Sequence, residues 1–340
     1  MEKQKAFENF KIGIFGVGSI GGTLGAFFRR VGLNADLLCR DIKSASLLRS
    51  EGMTITGTEN FHTNILAYPI EESSGNYDII FIASKAINNK QNIQNLLPLI
   101  KRTGIFCTLQ NGLPEYDLAE IVGSERIISA IVHWAAIRLQ TNIIQLISPK
   151  GDMRFVTGSL FNTNSPNIDI LNCLLEKIGQ VATDLNFIGA RWAKLLINAG
   201  YSSLGALTGL TYGDLVDQKD NCELILGICK ECIDVAKAMN VRLGLYNGRN
   251  LENLLDYKDE EGKKIALSSV PEIISQNRNH KSSMLQDIEK GNKTEIDLIN
   301  GIICRFGYEK GISVPMNKEI VYEIHKKEIA NCLNRSLKEK

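Results

Sequence analysis

The sequence predicts an α/β protein in two parts: a first half in which strands and helices alternate around a parallel sheet, and a second half that is almost wholly helical. Three observations carry that prediction. A strand runs into a glycine-rich turn and a helix at KIGIFGVGSIGGTLG, strand and helix patterns keep alternating to about Phe187, and strand patterns end beyond Ile188. At 340 residues the chain is long enough for two domains with separate cores. We place them at 9–186 and 187–335.

Strand character covers Lys11–Phe15, and Gly16, Gly18 and Gly21 follow at G-x-G-x-x-G spacing ahead of a helix over Ile20–Val31. The first glycine permits the tight turn, the second lets backbone approach a pyrophosphate, and the third lets helix and strand pack closely. Phosphates would then lie on the helix N-terminus, whose free N–H groups and positive dipole end favour anions. The loop Gly16, Val17, Gly18, Ser19, Ile20 and Gly21 is therefore the expected dinucleotide cradle.

A second strand, Ala35–Cys39, ends at Arg40. An acidic residue near this place would bind the ribose hydroxyls of NAD, whereas an arginine accommodates a 2′-phosphate, so Arg40 argues for NADP. Asp41 would restore the NAD reading if the strand ended one residue later. Short strands are expected within Met53–Ala67, then a buried parallel strand at Tyr77–Ala83, a helix over Asn88–Ile100 and a strand at Gly104–Leu109 ending in QNG. Pro114 opens the next helix, and Ile127–Ile137 reads as a further strand. Antiparallel hairpins are expected from Ile143–Ser148 and Arg154–Gly158, then a helix after Pro166 and a strand near Val181–Phe187. Lys85 and Asn111 follow strand ends, where open α/β sheets bind their ligands.

A net charge of +1 supplies no general field for nucleic acid or an anionic membrane. No apolar run has the length of a membrane span, and the polar start MEKQKAFENF lacks a signal-peptide core, so a cytoplasmic protein is expected. The eight cysteines are scattered, and Cys229 and Cys232 lie inside a helical pattern, Leu224–Met239, as buried thiols. The four histidines are dispersed, so no metal is expected. The final LNRSLKEK reads as a frayed tail.

In the helical half, Lys194, Asn198 and Ser202 fall four residues apart and share one face of an otherwise apolar helix. Burying such a stripe without partners is costly, so it should face a cleft or solvent. A second polar cluster, SSMLQDIEKGNKTEIDLING, reads as an amphipathic helix with Ser283, a break at Gly291 and a second helix capped by Thr294.

Five stretches taken together resemble the ketopantoate reductase (2-dehydropantoate 2-reductase) family: GVGSIGG, SKA at Ser84–Ala86, QNG at Gln110–Gly112, RWAKLLIN at Arg191–Asn198, and SSMLQDIEKGNKTEID at Ser282–Asp297. GISVPMN resembles the family's closing motif. The resemblance implies an N-terminal Rossmann-type domain, an all-helical C-terminal domain, a substrate cleft between them, and NADPH-dependent reduction of a 2-oxo acid. It implies Lys194 as the catalytic lysine with Glu295 acting beside it, and Asn111, Asn198 and Ser283 as substrate contacts. Asn111 and Lys85 would also border the cofactor, and Arg40 would take its phosphate. Ser202 and Tyr212 stand where the family usually has asparagines, in the segment facing substrate, so the oxo acid recognised could differ from ketopantoate. A neighbouring carboxylate is expected to help the lysine keep its proton. The alternative of another class is a non-catalytic NADPH-sensing regulator. Neither a nucleic acid nor a membrane is an expected partner, and a homodimer is left open.

Overall fold

The computed structural model describes residues 10–338; residues 1–9, including the expected domain start and most of the polar leader, and 339–340 of the tail lie outside it. The chain divides into two compact units, one of 1–110 and 114–187 and the other of 111–113 and 188–340.

The first unit contains β1 (Ile12–Phe15), α1 (Ser19–Arg30), β2 (Ala35–Cys39), α2 (Ile42–Glu51), β3 (Met53–Gly57), β4 (Phe61–Thr63), β5 (Leu66–Pro69), β6 (Tyr77–Ile82), α3 (Asn89–Leu96), β7 (Ile100–Thr108) and α4 (Glu115–Val122). It continues with β8 (Ile127–Val132), β9 (Ala136–Gln140), β10 (Ile143–Leu146), β11 (Arg154–Gly158), α5 (Pro166–Leu175) and β12 (Gln180–Thr183). Eight strands form one sheet in the order β12-β11-β8-β7-β6-β1-β2-β5, parallel throughout except where β11 pairs with β8. Successive side chains of a strand point to opposite faces. Ile79 and Phe81 accordingly enter one buried cluster with Ile12 and Ile14, while Ile80 and Ile82 enter a second with Phe15 and Leu118. The chain order reverses between β6 and β1, a switch point of the kind at which open α/β sheets bind ligands.

The smaller sheet, in the order β4-β3-β10-β9, corrects two expectations. Ile127–Ile137 is two strands: the Ala135 N–H goes to Ser148 Oγ and the Ala135 carbonyl accepts from Ile147 N, which turns the chain out of the large sheet. The strands at Ile143–Leu146 and Arg154–Gly158 are not partners of each other. The first pairs with β9 and β3, the second with β8 and β12. The helix expected to reach Ile100 stops at Leu96 and gives way to a tighter turn over Leu97–Leu99, where Pro98 has no N–H to continue the helical ladder. Ile100 instead begins β7, earlier than expected. The strand expected to reach Phe187 ends at Thr183, and Phe187 begins a helix.

The second unit follows with α6 (Phe187–Ile197), a π-turn (Asn198–Ser202), α7 (Ser203–Thr208), α8 (Tyr212–Val216), α9 (Lys219–Ala238), β13 (Leu245–Tyr246), β14 (Arg249–Asn250), α10 (Leu251–Leu255), α11 (Glu260–Ile273), α12 (Ser283–Glu289), α13 (Ile296–Lys310) and α14 (Pro315–Lys338). Among the described residues its strands are those of the β13–β14 hairpin, built on Asn247 and Gly248 with φ of 49° and 78°. Both values suit the mirror-image turn that an Asn-Gly pair favours. Cys229 and Cys232 are fully buried on α9 and their thiol pKa values are pushed up by burial, and no cluster able to hold a metal occurs among the described residues. No described helix is long and apolar enough to cross a membrane.

Candidate active site

In the first unit the glycine loop closes against the end of β6. Gly16 has φ +100°, and a Cβ there would lie 2.2 Å from Ser84 N. A Cβ on Gly21 would lie 2.1 Å from Gly16 O, so helix and loop touch through these two missing side chains. Around Gly18, at the N-terminus of α1, a Cβ would meet nothing within 4 Å. The hydroxyl of the buried Ser84, whose backbone lies against Gly16, has no hydrogen-bond partner among the described residues. Open space over a helix N-terminus fits a bound pyrophosphate.

Beyond β2, Arg40 is exposed, with its guanidinium carbon 5.9 Å from the Phe15 ring centroid. Asp41 is engaged elsewhere. Its carboxylate caps α2, accepting from Ser44 N at 2.7 Å and Ser44 Oγ at 2.9 Å, and these bonds hold its pKa below the usual carboxylate value.

Two features of this half escaped the sequence reading. Gln110 and Asn89 form a buried amide pair, with Gln110 Nε2 donating to Asn89 Oδ1 at 2.8 Å and to Ser84 O at 2.7 Å, which ties the SKA turn to the end of β7. Lys85 immediately precedes the short turn that follows. Arg138 on β9 donates to Val17 O at 2.9 Å, bringing a guanidinium from the second sheet to the glycine loop. Neither signal was local: each needed the sheet topology. If a pyrophosphate occupies the loop, Arg138→Ala should weaken dinucleotide binding several-fold, measured by fluorescence titration, because one solvent-exposed cation is removed.

In the second unit Lys194 lies on the last turn of α6, three residues after the buried Arg191. Its pKa is lowered from 10.5 to about 8, first by desolvation and then by Arg191, while Glu295 acts in the opposite direction. The expected carboxylate effect is present but loses to burial. The lysine is thus roughly nine-tenths protonated at pH 7. Should it supply a proton in a reduction, kcat/KM in that direction is flat below pH 7 and falls above about pH 8. A pH–rate profile with no break between pH 7 and 9 would contradict this.

Asn198 and Ser202 do not continue an α-helix: the segment is one π-turn, with Ser203 N–H donating to Asn198 O. Ser202 Oγ reaches Asn198 Oδ1 at 3.4 Å and Tyr212 OH at 2.7 Å. Tyr212 is only 7% exposed, with the His280 ring centroid 5.2 Å away. The two residues that stand in place of asparagines therefore bond each other. Ser283 is exposed at the first position of α12, and it is Ser282 before it that is buried and caps the helix. Glu295 is the cap position of α13, one residue later than the expected Thr294, whose hydroxyl bonds Glu328 Oε1 at 2.6 Å and accepts from Ile296 N at 3.3 Å. Asn111 groups with this unit. A Cβ on the adjacent Gly112 would lie 2.2 Å from Leu298 O, so that turn lies against the start of α13.

The family model described as ketopantoate reductase PanE/ApbA matches residues 12–158, and that described as ketopantoate reductase PanE/ApbA C terminal matches residues 186–328. A 2-dehydropantoate 2-reductase of Archaeoglobus fulgidus is 23% identical over 312 residues, covering 92% of this chain and 95% of that one. Among solved structures, a PanE/ApbA family ketopantoate reductase of Ralstonia eutropha superposes with a TM-score of 0.79 at 22% identity, covering 95% of this chain and 99% of that one. A D-mandelate dehydrogenase in ternary complex with NADH and anilino(oxo)acetate gives 0.80 at 22% identity, with the same coverage.

Proposed function

The chain belongs to the ketopantoate reductase family of oxidoreductases, and on that premise we propose that it reduces 2-dehydropantoate to pantoate with NADPH. The observation that carries the reading is Lys194, a desolvated lysine coupled to Glu295 on the helix that also carries Asn198. The nicotinamide cofactor, when bound, supplies the hydride that goes to the C2 carbonyl carbon. Gly16–Gly21 would hold its phosphates, Lys85 and Asn111 would border it, and Arg40 would take the 2′-phosphate. Because Asp41 caps α2, the acidic group that would favour NAD is engaged away from the ribose, which supports NADPH over NADH.

As negative charge grows on the carbonyl oxygen, the Lys194 ammonium stabilises it and transfers a proton from Nζ, so a C–H and an O–H bond form and the C=O π-bond breaks. Glu295 opposes the loss of that proton before substrate arrives. Asn111, Asn198 and Ser283 orient the oxo acid, and the N-terminal and helical domains meet at residue 186. This work belongs to the cytoplasm.

A second reading, another 2-oxo acid, is favoured by one observation. Ser202 and Tyr212 satisfy each other at 2.7 Å and so offer substrate fewer donors than two amides would. A panel of 2-oxo acids assayed with NADPH tests both readings. The first expects the highest kcat/KM for ketopantoate, and a tenfold or greater preference for an oxo acid lacking its hydroxyl would replace it with the second. Tight NADPH binding without turnover of any oxo acid would point instead to a sensor.

A further inference from the structure

The π-turn creates a hydrogen-bonding problem that the chain solves from a distance. In an α-helix the Ser203 N–H would pair with Ala199 O, but it pairs with Asn198 O, so the buried Ala199 carbonyl does not receive the donor an α-helix would give it. Two side chains replace it. The Ser203 hydroxyl donates to Ala199 O, and so does Asn300 Nδ2 of α13, at 3.1 Å. Asn300 is fully buried, and its Nδ2 also donates to Asn317 Oδ1 at 3.0 Å. Asn317, fully buried at the start of α14, is fixed in turn by Glu231 of α9, whose Oε2 accepts from Asn317 N at 2.9 Å and Nδ2 at 2.7 Å. The other oxygen of Glu231 accepts from Met316 N at 2.8 Å.

Glu231 thereby satisfies first-turn N–H groups of α14 and fixes Asn317 behind Asn300. Buried amides are costly unless satisfied, and the Asn300 Oδ1 has no partner. What the arrangement secures is the donor face of Asn300 on the carbonyl whose α-helical donor the π-turn diverts.

We propose that Asn300, backed by Asn317 and Glu231, is a positioning residue that holds this helix in π register and thereby sets the angle at which Ser202 and the residues after it stand from Lys194 and Asn198. This rests on the reading above that Lys194 and Asn198 act on the substrate. Reversion to α register takes up one residue, which rotates everything beyond Asn198 by roughly 100° about the axis. Ser202 would then stand at a different angle from Lys194, and its contact with Tyr212 would have to be remade.

The test uses the full chain with Asn300→Leu, close in volume but without a donor, and Asn317→Ala, which removes the support behind Asn300. The first readout needs no substrate: hydrogen exchange of the segment 198–203, followed by mass spectrometry. We expect at least tenfold faster exchange there in Asn300→Leu and a smaller rise in Asn317→Ala, with exchange in α1 unchanged. The second readout is kinetic. We expect KM for the oxo acid to rise about tenfold while kcat falls less and the affinity for NADPH holds. Unchanged exchange at 198–203 in the variants that fold would overturn the proposal, and so would faster exchange with an unaltered KM. If the parent protein reduces no oxo acid, the proposed reaction fails, and the exchange data still decide whether Asn300 holds the turn. Asn317→Ala keeps the question open to measurement should Asn300→Leu not fold.

Discussion

Replacing Lys194 with alanine should lower kcat for oxo-acid reduction by about 10² to 10⁴ while leaving the dissociation constant of NADPH unchanged, because a proton donor of this kind contributes on that order to rate and little to cofactor affinity. Stopped-flow turnover and fluorescence titration of the same preparation read the two quantities. The fold should not suffer. A lysine whose pKa falls from 10.5 to about 8 on folding is harder to charge in the native state, and that penalty is fully present below pH 8 and disappears as pH rises towards 10.5. Lys194→Met should therefore raise the melting temperature at pH 7, with a smaller gain at pH 10. A large loss of stability in that variant would mean the lysine's partners depend on its charge.

The second large effect concerns the cofactor. Arg40→Ala should weaken NADPH binding by about 10- to 100-fold and leave NADH binding within a few-fold, since a charge-assisted contact to a phosphate contributes about 1.5–3 kcal/mol and NADH has no 2′-phosphate to lose. Equal losses for both nucleotides would assign Arg40 a structural part. The paired variant Asp41→Ala should lower stability through the cap of α2 and leave the cofactor preference alone. A switch towards NADPH in that variant would show instead that the carboxylate also meets the ribose.

Much of the first unit was legible because its signals are local. β2 is found at Ala35–Cys39 as the alternation predicts, and the strand–glycine–helix order of 12–30 could be read residue by residue. What could not be read depended on residues distant in sequence. No local pattern says that Ile127–Ile137 breaks at His133–Ala135, since the break is made by Ser148 and the pairing of β10. The spacing of Lys194, Asn198 and Ser202 suggests a plain helix face, and the Asn300 amide that donates to the Ala199 carbonyl of the π-turn comes from a hundred and one residues away. The Ser202–Tyr212 bond joins two positions that the sequence marks as unusual singly but cannot pair. The carboxylate effect on Lys194 was read with the correct sign, and its defeat by desolvation required knowing how deeply the side chain is packed.

The most direct test of the central claim is to follow NADPH oxidation and product formation together when purified protein meets ketopantoate. The account predicts one pantoate formed for each NADPH consumed, at a rate that collapses in Lys194→Ala and falls above about pH 8 in the parent protein. NADPH bound but not oxidised, with neither ketopantoate nor any other 2-oxo acid reduced, would contradict it.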